Sequence, residues 1–242
     1  MTLVAGVDGC RGGWIVALRP LAAPERAEVR MVPTFADVLA IRPEPEVIAV
    51  DMPIGLPQAG SLGGRPCDVA ARAGLGGRQS AVFAVPARAA VMCVDYGEAC
   101  RVALVNSQPP RKVSKQTFNL FAKIREVDAL LTPELQTRIV ECHPEVAFWA
   151  LNGRRELTTP KKVKSKPFEP GLAQRRALLA AAGYDRALLD ACPFRVSVAG
   201  PDDLLDAFAC SWTAARIVRN EAICFPAAPD CDARGLRMEI WG

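Results

Sequence analysis

A single histidine in 242 residues, nine cysteines without one Cys-x-x-Cys pair, and no long hydrophobic run set the first limits on this chain. Zinc sites draw on clustered Cys and His, so the poverty of imidazole and of paired thiols argues against a structural zinc. An odd cysteine count at irregular spacing, with Cys142, Cys210 and Cys224 in apolar surroundings, fits free thiols in a reducing compartment better than a disulfide framework. No stretch reaches the roughly 18–20 apolar residues that cross a bilayer, so no membrane association is expected. No basic segment followed by an uninterrupted apolar one opens the chain, so no signal peptide is expected and the cytoplasm is the expected location. The charge excess is small as well: a net +4 permits an anionic partner without implying one. Internal repeats, low-complexity tracts and linker-like breaks are also missing. Their absence predicts one domain over residues 1–242, with 58–115 as an insertion or lid.

What is present is a chain half apolar and 23% charged, the balance of a globular protein that buries a substantial core. Leu3–Val7 reads as a strand, Gly-rich 9–13 as a tight turn and Trp14–Leu18 as the antiparallel partner. A third strand is expected over Ala27–Val32, and Thr34 with Asp37 forms a capping-box pattern opening a short helix. "VIAVDMPIGLP", residues 47–57, is a continuous apolar run that predicts a buried strand ending at Asp51. Pro66 is placed to start a helix over Cys67–Ala73, and Ser114 to cap one over Lys115–Leu131. A short strand follows at 138–142, a helix at Pro144–Leu151, a basic loop at 154–167, and helices at Leu172–Ala182 and Asp202–Val218. Meander strands, a buried strand, then alternating helix and strand make a mixed α/β pattern.

Carboxylates stand where chain geometry does not demand them. Asp8 ends the first strand, Asp51 ends the most apolar one, Glu141 lies in the short strand "RIVEC", and Asp203 and Asp206 share one face of the last helix. Strand ends of α/β sheets are where ligands bind. Carboxylates gathered there raise each other's pKa unless a cation neutralises them, and hard oxygen donors without His or Cys select Mg²⁺ or Mn²⁺. Two such ions about 4 Å apart activate a water and stabilise the leaving oxygen of a phosphodiester. Each residue also has a plainer reading. Asp8 before Gly9 and Asp51 before Met-Pro suit turns, and Asp202, Asp203 and Asp206 suit a helix start. Glu141 between apolar neighbours needs a partner, which an Arg would also supply.

Further candidates surround this set. His143, the only imidazole, is placed either to transfer a proton to a leaving group or to flank the helix at Pro144. Glu145 reads as a complement to that helix's dipole. Arg65, Arg72, Arg78 and Arg88, with Ser80, form a candidate phosphate-gripping lid, because Arg binds phosphate bidentately. The plain alternative is a surface pair between Asp68 and Arg72. "KKVKSK", 161–166, is either a solvated loop or a strip, including Lys161 and Lys162, that follows a phosphate backbone. "GVDGCRGG" lacks the G-x-G-x-x-G spacing and precedes a strand, which rejects a dinucleotide-binding turn.

"GVDGCRGGW", "VDMPIGL", "RPCDVAARAGLG", "SAVFAVPAR", "VECHPEVAF" and "PDDLLDAFACSWTA" resemble, in order, the blocks of the domain of unknown function 429 family, from about residue 4 to 218. That resemblance implies a ribonuclease H-like fold, a mixed five-stranded sheet flanked by helices, and membership of a group described as predicted nucleases. In ribonuclease H-like enzymes an Asp on the first strand, an acidic residue on the fourth and another on the closing helix hold two metal ions. Asp8 and Asp51 match the first two places; "DDLLDA" is similar to the D-x-x-D-A of Holliday-junction resolvases, leaving Asp203 and Asp206 both eligible for the third. Glu141 has no counterpart in that set.

The expectation is therefore a divalent-metal-dependent nuclease acting on a nucleic acid or a nucleotide-containing substrate. Two alternatives stand beside it: an actin-like nucleotide phosphotransferase or hydrolase, and a non-catalytic binding module that keeps the acidic cluster for structure. Oligomeric state stays open.

Overall fold

The computed structural model describes residues 2–164 and 166–242; Met1, and Ser165 within the basic run 161–166, lie outside them. Five strands form the central sheet: β1 (Leu3–Cys10), β2 (Gly13–Pro20), β3 (Glu28–Val32), β4 (Val47–Asp51) and β5 (Ile139–Glu141). Their order is β3-β2-β1-β4-β5. The first three pair antiparallel as a meander, whereas β4 runs parallel to β1 and β5 parallel to β4. The helices are α1 (Phe35–Leu39), α2 (Pro66–Arg72), α3 (Arg88–Val91), α4 (Tyr96–Val105), α5 (Lys115–Leu130), α6 (Pro144–Leu151), α7 (Glu169–Ala181), α8 (Arg186–Asp190) and α9 (Pro201–Val218). This mixed sheet flanked by helices is consistent with the ribonuclease H-like fold.

The central strands are apolar on both faces because both faces are covered, and successive side chains alternate between them. Ala5, Val7, Val16, Ile48 and Val50 face a core closed by Phe35 of α1 and by Phe121, Ile124 and Val127 of α5. Val4, Ile15, Ala17 and Ala49 face the opposite core, against Leu205, Phe208 and Ala214 of α9, Phe148 of α6 and Leu172 and Leu179 of α7. Each fully buried Leu or Phe there contributes about 1.5–3 kcal/mol. Packing on that scale, supplied by most of its length, seats α9 on the sheet.

Local signals explain the element ends. Thr34 and Asp37 exchange the two bonds of a capping box at α1. Ser114 accepts from the Thr117 amide at the start of α5, and Pro144 and Pro201 sit in the first turns of α6 and α9. The first turn is tighter than expected. β1 continues through Gly9 to Cys10, which pairs with Gly13, so Asp8 lies in the ladder opposite Ile15 and not in a turn. The basic stretch is mostly loop, with a two-residue ladder joining Lys162–Val163 to Lys166–Pro167. Residues 58–115 carry the expected α2 and, beyond it, α3 and α4. All nine cysteines are free, and six are buried. No helix of the described residues is long and apolar enough to cross a membrane.

Candidate metal centre

Asp8 and Asp51 stand side by side because β1 and β4 are parallel and Asp8 is in register with Asp51. Both belong to the strand positions that face α9, the face of Val4 and Ala49. Asp206 comes down from α9 onto them, and one carboxylate oxygen from each of the three lies within 4.8 Å of the others. The close approach depends on Gly6, on the same face of β1 as Asp8. A Cβ there would overlap the Ala207 carbonyl and the Ser211 amide of α9. A glycine inside an apolar strand marks such an approach, and this was the sequence signal for the site that went unread.

The centre is charged, buried and short of partners. Asp8 and Asp206 are buried and Asp51 is partly so. Burial, then the neighbouring Asp51 and Asp206, holds the Asp8 carboxyl well above the carboxylate range. Burial and then Asp206 push Asp51 up to about 8. Burial pushes Asp206 up to about 6, against the pull of Lys161. Asp206 Oδ2 accepts from Lys161 Nζ, while its Oδ1 is buried without any hydrogen-bond partner. Three hard oxygen donors from three separate elements, one of them an orphaned buried atom, fit a divalent cation such as Mg²⁺ or Mn²⁺.

The remaining acidic candidates are placed differently. Asp203, one turn before Asp206, accepts from the Gly200 amide at 2.8 Å at the start of α9 and lies beside the trio, outside it. Glu141 is in register with Val50, one residue short of Asp51, so strand alternation turns it to the other face. There Arg65 Nη2 and Nη1 donate to its two oxygens at 2.6 and 2.8 Å, and the Ile54 amide donates at 2.7 Å. Of its two readings, the Arg partner is the one seen, and no Glu141 oxygen enters the trio.

The expected phosphate-gripping set is largely committed within the protein. Arg65 is buried, bridging Glu141 and Asp68 and capping the carbonyls of Ile54 and Gly55. Asp68 is therefore a buried partner of Arg65, not a surface partner of Arg72. Arg72 instead donates to the carbonyls of Val82 and Gly63. Arg88 bridges Asp128 and Asp232. Lys161 and Lys162 pair with Asp206 and Asp202 on α9. Only Arg78 and Ser80 make no side-chain bond to another described residue.

His143 caps α6. Its Nδ1 accepts from the Glu145 amide at 3.2 Å and its Nε2 lies 3.2 Å from the Ala81 carbonyl, which fixes the Nε2–H tautomer. Glu145 is buried against Arg175 at 2.6 Å, a pairing that goes beyond a dipole role.

A family model described as a protein of unknown function (DUF429) matches residues 6–231. The chain belongs to the DUF429 family. The match spans all three elements that supply the acidic trio, from β1 to α9. No curated protein and no solved structure matches this DUF429 chain.

Proposed function

We propose that this DUF429 protein is a cytoplasmic, divalent-metal-dependent nuclease that hydrolyses phosphodiester bonds with Mg²⁺ or Mn²⁺. One observation carries the reading: Asp8, Asp51 and Asp206, from two parallel strands and the helix across them, converge within 4.8 Å. No described residue donates a hydrogen bond to the carboxylate of Asp8 or Asp51, and the orphaned Asp206 oxygen completes a set of donors without a purely structural use. When bound, the cation supplies positive charge to the phosphodiester and makes a water more acidic.

The chain's own residues do the rest. Asp8 is paired in the ladder on both sides, with Ile15 and with Asp51, and Asp51 is paired on its β1 side, so the backbone holds both positions when a substrate arrives. Asp206 is set by the packing of α9. Arg78 and Ser80, without a side-chain bond to another described residue, are the members of the expected gripping set left to meet a phosphate backbone, Arg78 bidentately. A nucleic acid or a nucleotide-containing molecule is the matching substrate class.

The test is cleavage of single- and double-stranded DNA and RNA with Mn²⁺ or Mg²⁺, by the parent and by Asp8→Asn and Asp206→Asn. The variants are expected to fold and not to cut. Asn variants that cut as fast as the parent would overturn the assignment. Micromolar ATP binding without cleavage of any polymer would favour the phosphotransferase alternative.

A further inference from the structure

We propose that Lys161 is a built-in cation of the carboxylate centre, so that the protein without nucleic acid binds one divalent ion and not two. The inference rests on the metal-dependent reading above.

Lys161 is not a surface lysine that happens to lean inward. Its carbonyl accepts from the Phe168 amide at 2.9 Å. The preceding carbonyl, of Pro160, packs against Gly171 of α7 where no Cβ would fit. One residue earlier, the Thr159 carbonyl accepts from Arg175 at 3.0 Å, and Arg175 is itself fully buried against Glu145. Three successive backbone positions are thus tied to α7. From there the side chain reaches Asp206, whose own side chain is only 4% exposed. Lys162 alongside pairs with Asp202, fastening the same loop to the first turn of α9.

Charge then limits what else the centre takes. As metal ligands all three carboxylates are ionised, so Asp8, Asp51 and Asp206 would then carry three negative charges and Lys161 return one, leaving two, which a single divalent cation neutralises. The nearby charges are matched elsewhere: Asp202 by Lys162, Glu145 by Arg175. Asp203 lies outside the trio and is engaged by the Gly200 amide, and the α9 N-terminus already offsets its charge. Oxygen supply gives the same limit. Asp206 Oδ2 is occupied by the ammonium, so the helix offers the trio one buried oxygen, Oδ1. An ammonium fixed beside a metal position also repels a second divalent ion at close range.

The experiment is Mn²⁺ titration of the full chain at pH 8 without nucleic acid, read by electron paramagnetic resonance of free Mn²⁺ and by calorimetry. The parent and Lys161→Arg are expected to bind one ion. Lys161→Met is expected to bind two, or to bind the first about tenfold more tightly, because a repelling charge is gone. If Lys161→Met fails to fold, Lys161→Gln removes the charge while keeping a donor toward Asp206. Two ions on the parent, or a neutral variant unchanged in both number and affinity, overturns the proposal and leaves the metal centre standing. No Mn²⁺ on any of these proteins overturns the metal-dependent reading itself, and this inference with it.

Discussion

The backbone of Ala207 in α9 lies so close over Gly6 in β1 that no side chain fits between them. This contact sets the height of α9 above the sheet, and with it the distance from Asp206 to Asp8. Gly6→Ala would place its methyl group on the Ala207 carbonyl and the Ser211 amide, both backbone atoms that cannot rotate away. The helix must rise or the strand must bend. A loss of about 3 kcal/mol or more is expected in urea denaturation, above the usual cost of overpacking because backbone has to move. Mn²⁺ affinity should fall at the same time, although Gly6 carries no donor. A Gly6→Ala protein with parent-like stability and affinity would show that the close approach does not position Asp206.

Asp51 gives the centre an inverted pH dependence. Its ordinary value is 3.8, and burial with Asp206 nearby raises it to about 8 in the folded protein. Between those values the native state holds a proton that the unfolded chain has released, so stability falls as pH rises through that window. Asp51→Asn removes the term. In EDTA the variant should melt above the parent, with the gap widening from pH 5 to pH 8 and level beyond. At pH 8 the gain is read as a rise of several degrees or more in melting temperature. Saturating Mn²⁺ should reverse the ranking, since a ligand at 100 times its Kd adds about 2.7 kcal/mol to the parent alone. A gap independent of pH would mean that Asp51 is ionised throughout in the native state.

Glu141 and Arg65 form a structural pair, and their variants should separate stability from metal binding. Arg65→Met strands the Glu141 and Asp68 carboxylates in the interior, a change that costs about 3–5 kcal/mol when a buried partner is removed. Glu141→Gln keeps the shape and an acceptor for the Ile54 amide, so the loss should be smaller, about 1–3 kcal/mol. Its Mn²⁺ affinity, measured by calorimetry, should stay within about twofold of the parent's, well under the tenfold that 1.4 kcal/mol represents. A tenfold drop would make Glu141 a ligand.

The two strand carboxylates were legible in the sequence because an apolar run that stops at an Asp is a local signal, and the parallel ladder only aligned the two runs. The choice between Asp203 and Asp206 was not, because both lie on one helix face and only the contact with Gly6 decides which reaches Asp8. Glu141 carried two readings in the sequence, and register separates them: β5 pairs Glu141 with Val50 instead of Asp51, and period-two alternation sends it to the other face, where Arg65 lies. Arg65 and Lys161 look in sequence like any cations that grip phosphate. Glu141, which Arg65 holds, and Asp206, which Lys161 holds, lie 76 and 45 residues away, and no short-range spacing reveals such pairs. The helices α3 and α8, of four and five residues, are too short to carry a periodic pattern.

His143 should prove dispensable for proton transfer. Burial lowers its pKa to about 4, so the imidazole is neutral across pH 5–8 and has no charge change to contribute there. Both ring nitrogens are engaged, one by the α6 cap and one by the Ala81 carbonyl. His143→Asn preserves a side-chain acceptor for the cap, and should cost about 1 kcal/mol or less. His143→Ala removes both bonds and should cost more, up to about 2 kcal/mol. Neither should alter the shape of the pH–rate profile for cleavage between pH 5.5 and 8, because that profile follows the carboxylates. Loss of a limb of the profile in His143→Asn, with the melting temperature unchanged, would instead make the imidazole a proton-transfer group and move the catalytic machinery toward α6.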